Sequence, residues 1–212
     1  MMNTYKWNNI GSQEISEKSG IYAWYYKPKI GLADIEKLKI ELHCKESTSE
    51  KKEVVETFLQ NRLFRFFSQP DYDVTARGPL MPRYEGKLSH IDSISIELVD
   101  RILEDPDSTL IIRDTLSVLD VFFLSPIYVG MAKNLSRRIN NHKSLIEAAK
   151  VGNKFEGEIE ERDRCFAERV AQRKMVETYL EVVVCKIDGT NNEHNLAENL
   201  INRISYPILG RN

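Results

Sequence analysis

Tyr128-Val129-Gly130-Met131-Ala132-Lys133-Asn134-Leu135-Ser136-Arg137-Arg138-Ile139-Asn140-Asn141-His142 is the stretch on which the reading of this 212-residue chain turns. Its front, Ser125 to Gly130, reads as a short strand with Pro126 near its start, a position that tolerates proline. Its back reads as a helix. Leu135, Ile139, His142, Ile146 and Ala149 recur at helical spacing and make one stripe. Arg138 and His142 are four apart and project from the same side, one turn from each other. A lone His on an apolar stripe reads as a core residue. A strand aromatic, a Gly turn, then Arg and His on the first helical turns read as a site.

The ends of the chain supply partners. Gly20-Ile21-Tyr22 opens a second strand, and Glu198-Asn199-Leu200-Ile201 lies in a helix followed by Pro207 and Asn212. In order the set is Gly-Ile-Tyr, Tyr-Val-Gly, Arg, His, Glu and Asn. Tyr128 to Arg138 is ten residues and Arg138 to His142 is four. This pattern resembles the GIY-YIG nuclease superfamily. The resemblance covers residues 20–28, 126–150 and 180–212. The chain departs from the family in the longer step from Pro207 to Asn212. A second departure is the long segment separating the two motif strands, which in the family lie close together.

The resemblance implies an α/β (α+β) fold: a small three-stranded antiparallel sheet flanked by helices. A large, mostly helical insertion then separates the first two motif strands. Residues 1–30 and 121–212 form the expected discontinuous core. Residues 31–120 form the insertion, a candidate DNA-recognition or dimerisation element.

Apolar content of 42% and charged content of 29% are ordinary for a globular protein. The first residues carry no apolar signal region, and no apolar run approaches membrane-spanning length. A cytoplasmic protein without a membrane partner is expected. Cys44, Cys165 and Cys185 are scattered and form no metal-ligand pairs. A net charge of −2 argues against nucleic-acid binding driven by bulk charge. Between Tyr128 and Lys150, however, five basic residues stand against Glu147 alone. Arg137 and Lys143 belong to this patch and are candidate DNA contacts; a solvated helix face is the plainer reading.

Taken in order, residues 1–19 read as a polar loop with a short lead-in. Residues 20–27 are rich in β-favouring aromatics, with Tyr22, Trp24 and Tyr26 on one face. In the insertion, helical stripes run over Ala33–Cys44 and Glu50–Phe67, and two shorter helices over Ile96–Leu103 and Thr109–Leu119. Between them, Asp71 to Ile91 carries two Pro and two Gly and reads as an ordered loop or hairpin. Its Arg77, Arg83, Tyr84, Lys87 and His90 suit contact with phosphates and bases, or serve as ordinary surface charges on a crossover. After a break at Gly152-Asn153, Glu158 to Glu177 reads as a charged helix. Its Arg162, Arg169 and Arg173 line either a phosphate groove or a solvated face. Leu180 to Ile187 is a buried strand by its β-branched run. Glu193 to Ser205 is a helix whose stripe of Leu196, Leu200, Ile201 and Ile204 is expected to be buried.

Phosphodiester hydrolysis needs an activated water, positive charge on the phosphate and help for the leaving oxygen. The resemblance places Tyr22, Tyr128, Arg138, His142, Glu198 and Asn212 in the catalytic set. It implies one Mg²⁺ or Mn²⁺ held by Glu198, phosphate clamping by Arg138 and a general base in Tyr22 or His142. Tyr128 then orients water or phosphate, and Asn212 positions its neighbours. The function implied is a metal-dependent DNA endonuclease, of restriction or phage-defence type, with DNA as partner and a homodimer as a candidate assembly. A structure-specific repair nuclease is the alternative within enzymes. A non-catalytic DNA-binding or interaction module on the same fold is the alternative outside them.

Overall fold

The computed structural model describes residues 2–68, 71–79, 82–89, 94–119, 123–152, 161–187, 193–205 and 207–210; within 161–162 and 193–198 only the backbone course is described. The chain is mixed α/β and divides into two compact units, Met1–Lys29 with Asp114–Asn212, and Ile30–Arg113.

In chain order the elements are β1 (Met2–Lys6), β2 (Gly20–Tyr26), α1 (Leu32–His43), α2 (Thr48–Arg62), β3 (Tyr72–Arg77), β4 (Arg83–Leu88), α3 (Ile96–Glu104) and α4 (Ser108–Val118). They continue with β5 (Tyr128–Ala132), α5 (Leu135–Val151), α6 (Glu161–Gln172), β6 (Leu180–Lys186) and α7 (Glu193–Ser205).

The first unit is built on an antiparallel sheet in the order β1-β6-β2-β5. It has four strands, not the expected three. The addition is β1, which pairs with β6 from Met2↔Cys185 to Lys6↔Glu181. Its residues, Met-Asn-Thr-Tyr-Lys, bury only Tyr5, so no alternating apolar pattern announces it. An edge strand is recruited by backbone pairing rather than by a buried face. The centre of the sheet is more legible. Tyr22, Trp24 and Tyr26 on one face of β2 are all fully buried, as strand alternation requires. β6 buries Leu180, Val182, Val183 and Val184.

Two glycines allow close approaches in this sheet. A Cβ on Gly20 would run into the Cys185 carbonyl of the neighbouring strand and the Leu135 side chain. A Cβ on Gly130, which faces Tyr22 in the ladder, would sit 2.5 Å from Tyr22 Oη. The glycine of Tyr-Val-Gly is therefore the gap through which the Tyr22 ring passes.

α5 starts at Asn134, whose side chain accepts from the Arg137 amide at 2.8 Å, and stops at Gly152 in the left-handed region at φ +75°. Leu135, Ile139, His142 and Ile146 form its buried stripe. The carbonyls of Lys18 and Ser16 take the amides of Leu135 and Ser136, so the first turn of the helix is closed by backbone. α5 packs against α6, and both α5 and α7 pack against β2 and β5. On α7, Leu200 and Ile204 are 60% and 70% exposed, against the expectation that they lie in a buried stripe. Their spacing fits an apolar face, but the described residues of this chain do not cover it.

The second unit packs α2 against both α1 and α3. Its core holds Ile35, Leu38, Val55, Leu59, Val99 and Ile102. Ser47 and Glu50 form a reciprocal capping box at the start of α2. Within the stretch expected to be an ordered loop or hairpin, β3 and β4 pair antiparallel, and every residue of both strands is exposed. No helix among the described residues is long and apolar enough to cross a membrane.

Candidate active site

The buried face of β2 and the inner side of α5 meet at Tyr22. Arg138 Nε donates to Tyr22 Oη at 3.2 Å, and His142 Nε2 lies 3.3 Å from the same oxygen. Tyr128 stacks alongside, its ring 6.2 Å from that of Tyr22 and 5.6 Å from that of His142. Four residues of the sequence-derived set, Tyr22, Tyr128, Arg138 and His142, are thus within one cluster. They come from two strands and a helix, and segments more than a hundred residues apart meet there.

The pocket around His142 is aromatic. The Trp24 ring lies nearly parallel to that of His142, at 6.1 Å and 9°, and Phe166 packs at 5.2 Å. Trp24 Nε1 donates to His142 Nδ1 at 3.1 Å. An indole N–H can only donate, so Nδ1 must accept. We therefore assign the neutral ring its proton at Nε2. That N–H has two acceptors nearby, Asp163 Oδ1 at 2.9 Å and Tyr22 Oη. The nearer, charged Asp163 takes it, and in this arrangement His142 has no lone pair with which to accept the Tyr22 proton.

Nothing in the sequence singles out Asp163. Its other oxygen, Oδ2, pairs with Arg138 Nη1 at 2.8 Å. Asp163 is 3% exposed and His142 is completely buried. The carboxylate stands on α6, away from any motif, and no local pattern distinguishes it from the other acidic residues of that helix.

Burial pushes the Tyr22 phenol well above its ordinary pKa, and the neighbouring Tyr128 adds to the rise. The Arg138 guanidinium and its hydrogen bond work in the opposite direction without cancelling it. Tyr22 is only 1% exposed and is a neutral phenol in this state.

The remaining expected residues are distributed differently. Lys143 donates to the Ile10 carbonyl at 2.8 Å and lies over the Trp7 ring at 5.6 Å, which ties α5 to the turn after β1. Arg137 is exposed on the first turn of α5. Arg169, one of three arginines read as groove-lining or solvated, donates to the carbonyls of Leu209 and Gly210 and so staples the turn after α7. Burial and the adjacent Arg169 hold the Arg173 guanidinium below its usual range.

In the second unit, the hairpin register puts Arg77 directly opposite Arg83, and Asp73 opposite Lys87. Alternation then places Arg77, Arg83 and Lys87 on one face, and Tyr72, Val74, Tyr84 and Leu88 on the other. Arg83 also pairs with Glu85. His90 and Arg162 contribute no described side chain, and Asn212 lies outside the described residues.

Glu198 lies on α7, which packs against the two strands carrying Tyr22 and Tyr128, but its side chain is outside the described residues. Among the described residues no group of three His, Cys, Asp or Glu side chains could hold a metal. Asp163 has both oxygens committed to Arg138 and His142. No family model, curated protein or solved structure matches the chain.

Proposed function

We propose that this chain is a metal-dependent DNA endonuclease of the GIY-YIG type, hydrolysing phosphodiester bonds in restriction or phage defence. The observation that carries the reading is the convergence of Arg138 Nε and His142 Nε2 on Tyr22 Oη. β2, β5 and β6, with α5 and α7, are the elements that the resemblance requires. On this reading β1 is an addition at the edge, and residues 31–120 are an insertion that serves DNA recognition or dimerisation.

Arg138 contributes a permanent charge whose planar fork suits phosphate oxygens. It is the least buried member of the cluster, with 17% of its side chain exposed. Tyr22 is the base, and the Arg138 N–H aimed at its oxygen favours the phenolate once further positive charge arrives to offset burial. His142 directs its one N–H to Asp163 and does not take the Tyr22 proton, which passes instead to a water admitted with the substrate beside Arg138, the exposed edge of the cluster. Tyr128 orients the attacking water, and Asn212 positions its neighbours. A divalent ion bound through Glu198 would supply Lewis acidity at the phosphate and at the leaving 3′ oxygen.

The burial of Tyr22 and His142 favours a second reading, a non-catalytic DNA-binding module whose site has closed on itself. Incubation with Mg²⁺ and plasmid, phage or branched DNA separates the readings. Discrete bands are the expected result, branch-dependent cuts would indicate a repair nuclease, and no cutting under any condition would leave the binding module. Glu198→Ala is expected to abolish cleavage and spare most DNA binding. Parental cutting by that variant would remove the metal from Glu198.

A further inference from the structure

We propose that Asp163 is the positioning residue of this site: its carboxylate orients Arg138 and His142, the two side chains whose nitrogens face Tyr22 Oη. The consequence for turnover rests on the nuclease reading; the positioning itself does not.

The geometry is that of a bridge. Each oxygen takes a different partner, Oδ2 at 2.8 Å from Arg138 Nη1 and Oδ1 at 2.9 Å from His142 Nε2. Those partners are one turn apart on α5, a separation that one carboxylate can span. With both oxygens spent, Asp163 acts on the reacting groups through Arg138 and His142 rather than by touching substrate. A buried carboxylate is tolerated only when paired and hydrogen-bonded, so the three side chains hold one another in place.

The support for Asp163 is itself anchored. α6 buries Phe166, whose ring lies 4.5 Å from that of Tyr128, together with Ala167 and Val170. Arg169 fastens the helix to the carbonyls of Leu209 and Gly210. The Nε2–H of His142 is assigned from Trp24 on the other side of the ring, so Asp163 meets a donor whose proton is already in place. Trp24 thus sets the tautomer while Asp163 sets the direction in which that proton points.

The test uses the full chain labelled with ¹⁵N-histidine, with the His142 signals assigned through their contacts to Trp24. In the parent protein the imidazole should report a single neutral tautomer, protonated at Nε2, with a slowly exchanging, downfield N–H. A ring protonated at Nδ1, or one averaging between tautomers, overturns the proposal and needs no variant to do so. Asp163→Asn keeps the volume and one acceptor oxygen. It should move the Nε2–H signal upfield and accelerate its exchange. In Mg²⁺-dependent cleavage it should lower kcat by roughly 10–100-fold, the usual cost of losing an orienting partner, with KM unchanged or reduced. Unchanged imidazole signals, a parental kcat, a loss confined to KM, or faster cutting than the parent would each overturn it. If the parent cuts no DNA, the nuclease reading falls and the imidazole signals still decide whether Asp163 orients the ring.

Discussion

Tyr22 combines a ring packed in the core with a hydroxyl facing Arg138 Nε and His142 Nε2. The ring fits only because residue 130 is glycine. Burial, then the nearby Tyr128, raise the phenol in the folded chain above the unfolded value of about 10. The folded state therefore keeps its proton where the unfolded chain has lost it. This contribution to stability is complete below pH ~10 and is lost as pH rises from there through the folded value. Tyr22→Phe should flatten the alkaline fall in stability, measured as denaturant unfolding between pH about 9 and about 11. It should cost about 0.5–1.5 kcal/mol at neutral pH, the net value of one hydrogen bond. In single-turnover cleavage with saturating enzyme, it should lower the rate by roughly 10²–10⁴-fold. Tyr25→Phe, on the opposite strand face, should cut at the parental rate. A Tyr22→Phe rate near the parental one would leave the activation of water to some other group.

Helix α6 matters through what it fastens. Its buried side, Phe166, Ala167 and Val170, reaches the aromatic pocket, and Arg169 reaches past it to two carbonyls in the turn after α7. That turn also returns to the sheet, because the Leu209 amide donates to the Ile127 carbonyl just before β5. Arg169→Ala should cost about 1.5–3 kcal/mol, the range for hydrogen bonds to a charged group. It should also speed hydrogen exchange at the Leu209 amide more than at amides in β6. Unchanged protection at Leu209 would show that the staple holds nothing in place.

The molecule consists of two units on one chain, and the second carries an unusual surface. A two-stranded hairpin is marginal alone, and here Arg77 and Arg83 stand directly opposite each other. Like charges directly opposite each other are destabilising, and Glu85 on the same face offsets Arg83. Arg77→Ala combined with Arg83→Ala should weaken DNA binding. It should also reduce the slope of log affinity against log salt by roughly one unit for every phosphate that the protein no longer neutralises. An unchanged slope would make the hairpin a structural or protein-binding element. Tyr84 and Leu88, 65% and 62% exposed on the opposite face, would then be its working surface.

What the sequence by itself determined is local and periodic. The alternation of Tyr22, Trp24 and Tyr26, the stripe of α5 and the one-turn spacing of Arg138 and His142 all follow from residues within a few positions of each other. Periodicity acts over one or two turns, so a single chain displays it. Only the tertiary structure decided the rest. β1 joined the sheet through backbone pairing that its polar residues do not advertise. Lys143 and Arg169 went to distant carbonyls, and Leu200 and Ile204 remained exposed despite their helical spacing. Asp163 became the shared partner of Arg138 and His142 because α6 packs on α5. A buried charge takes whichever counter-charge the fold brings within about 3 Å, and sequence distance places no limit on that choice.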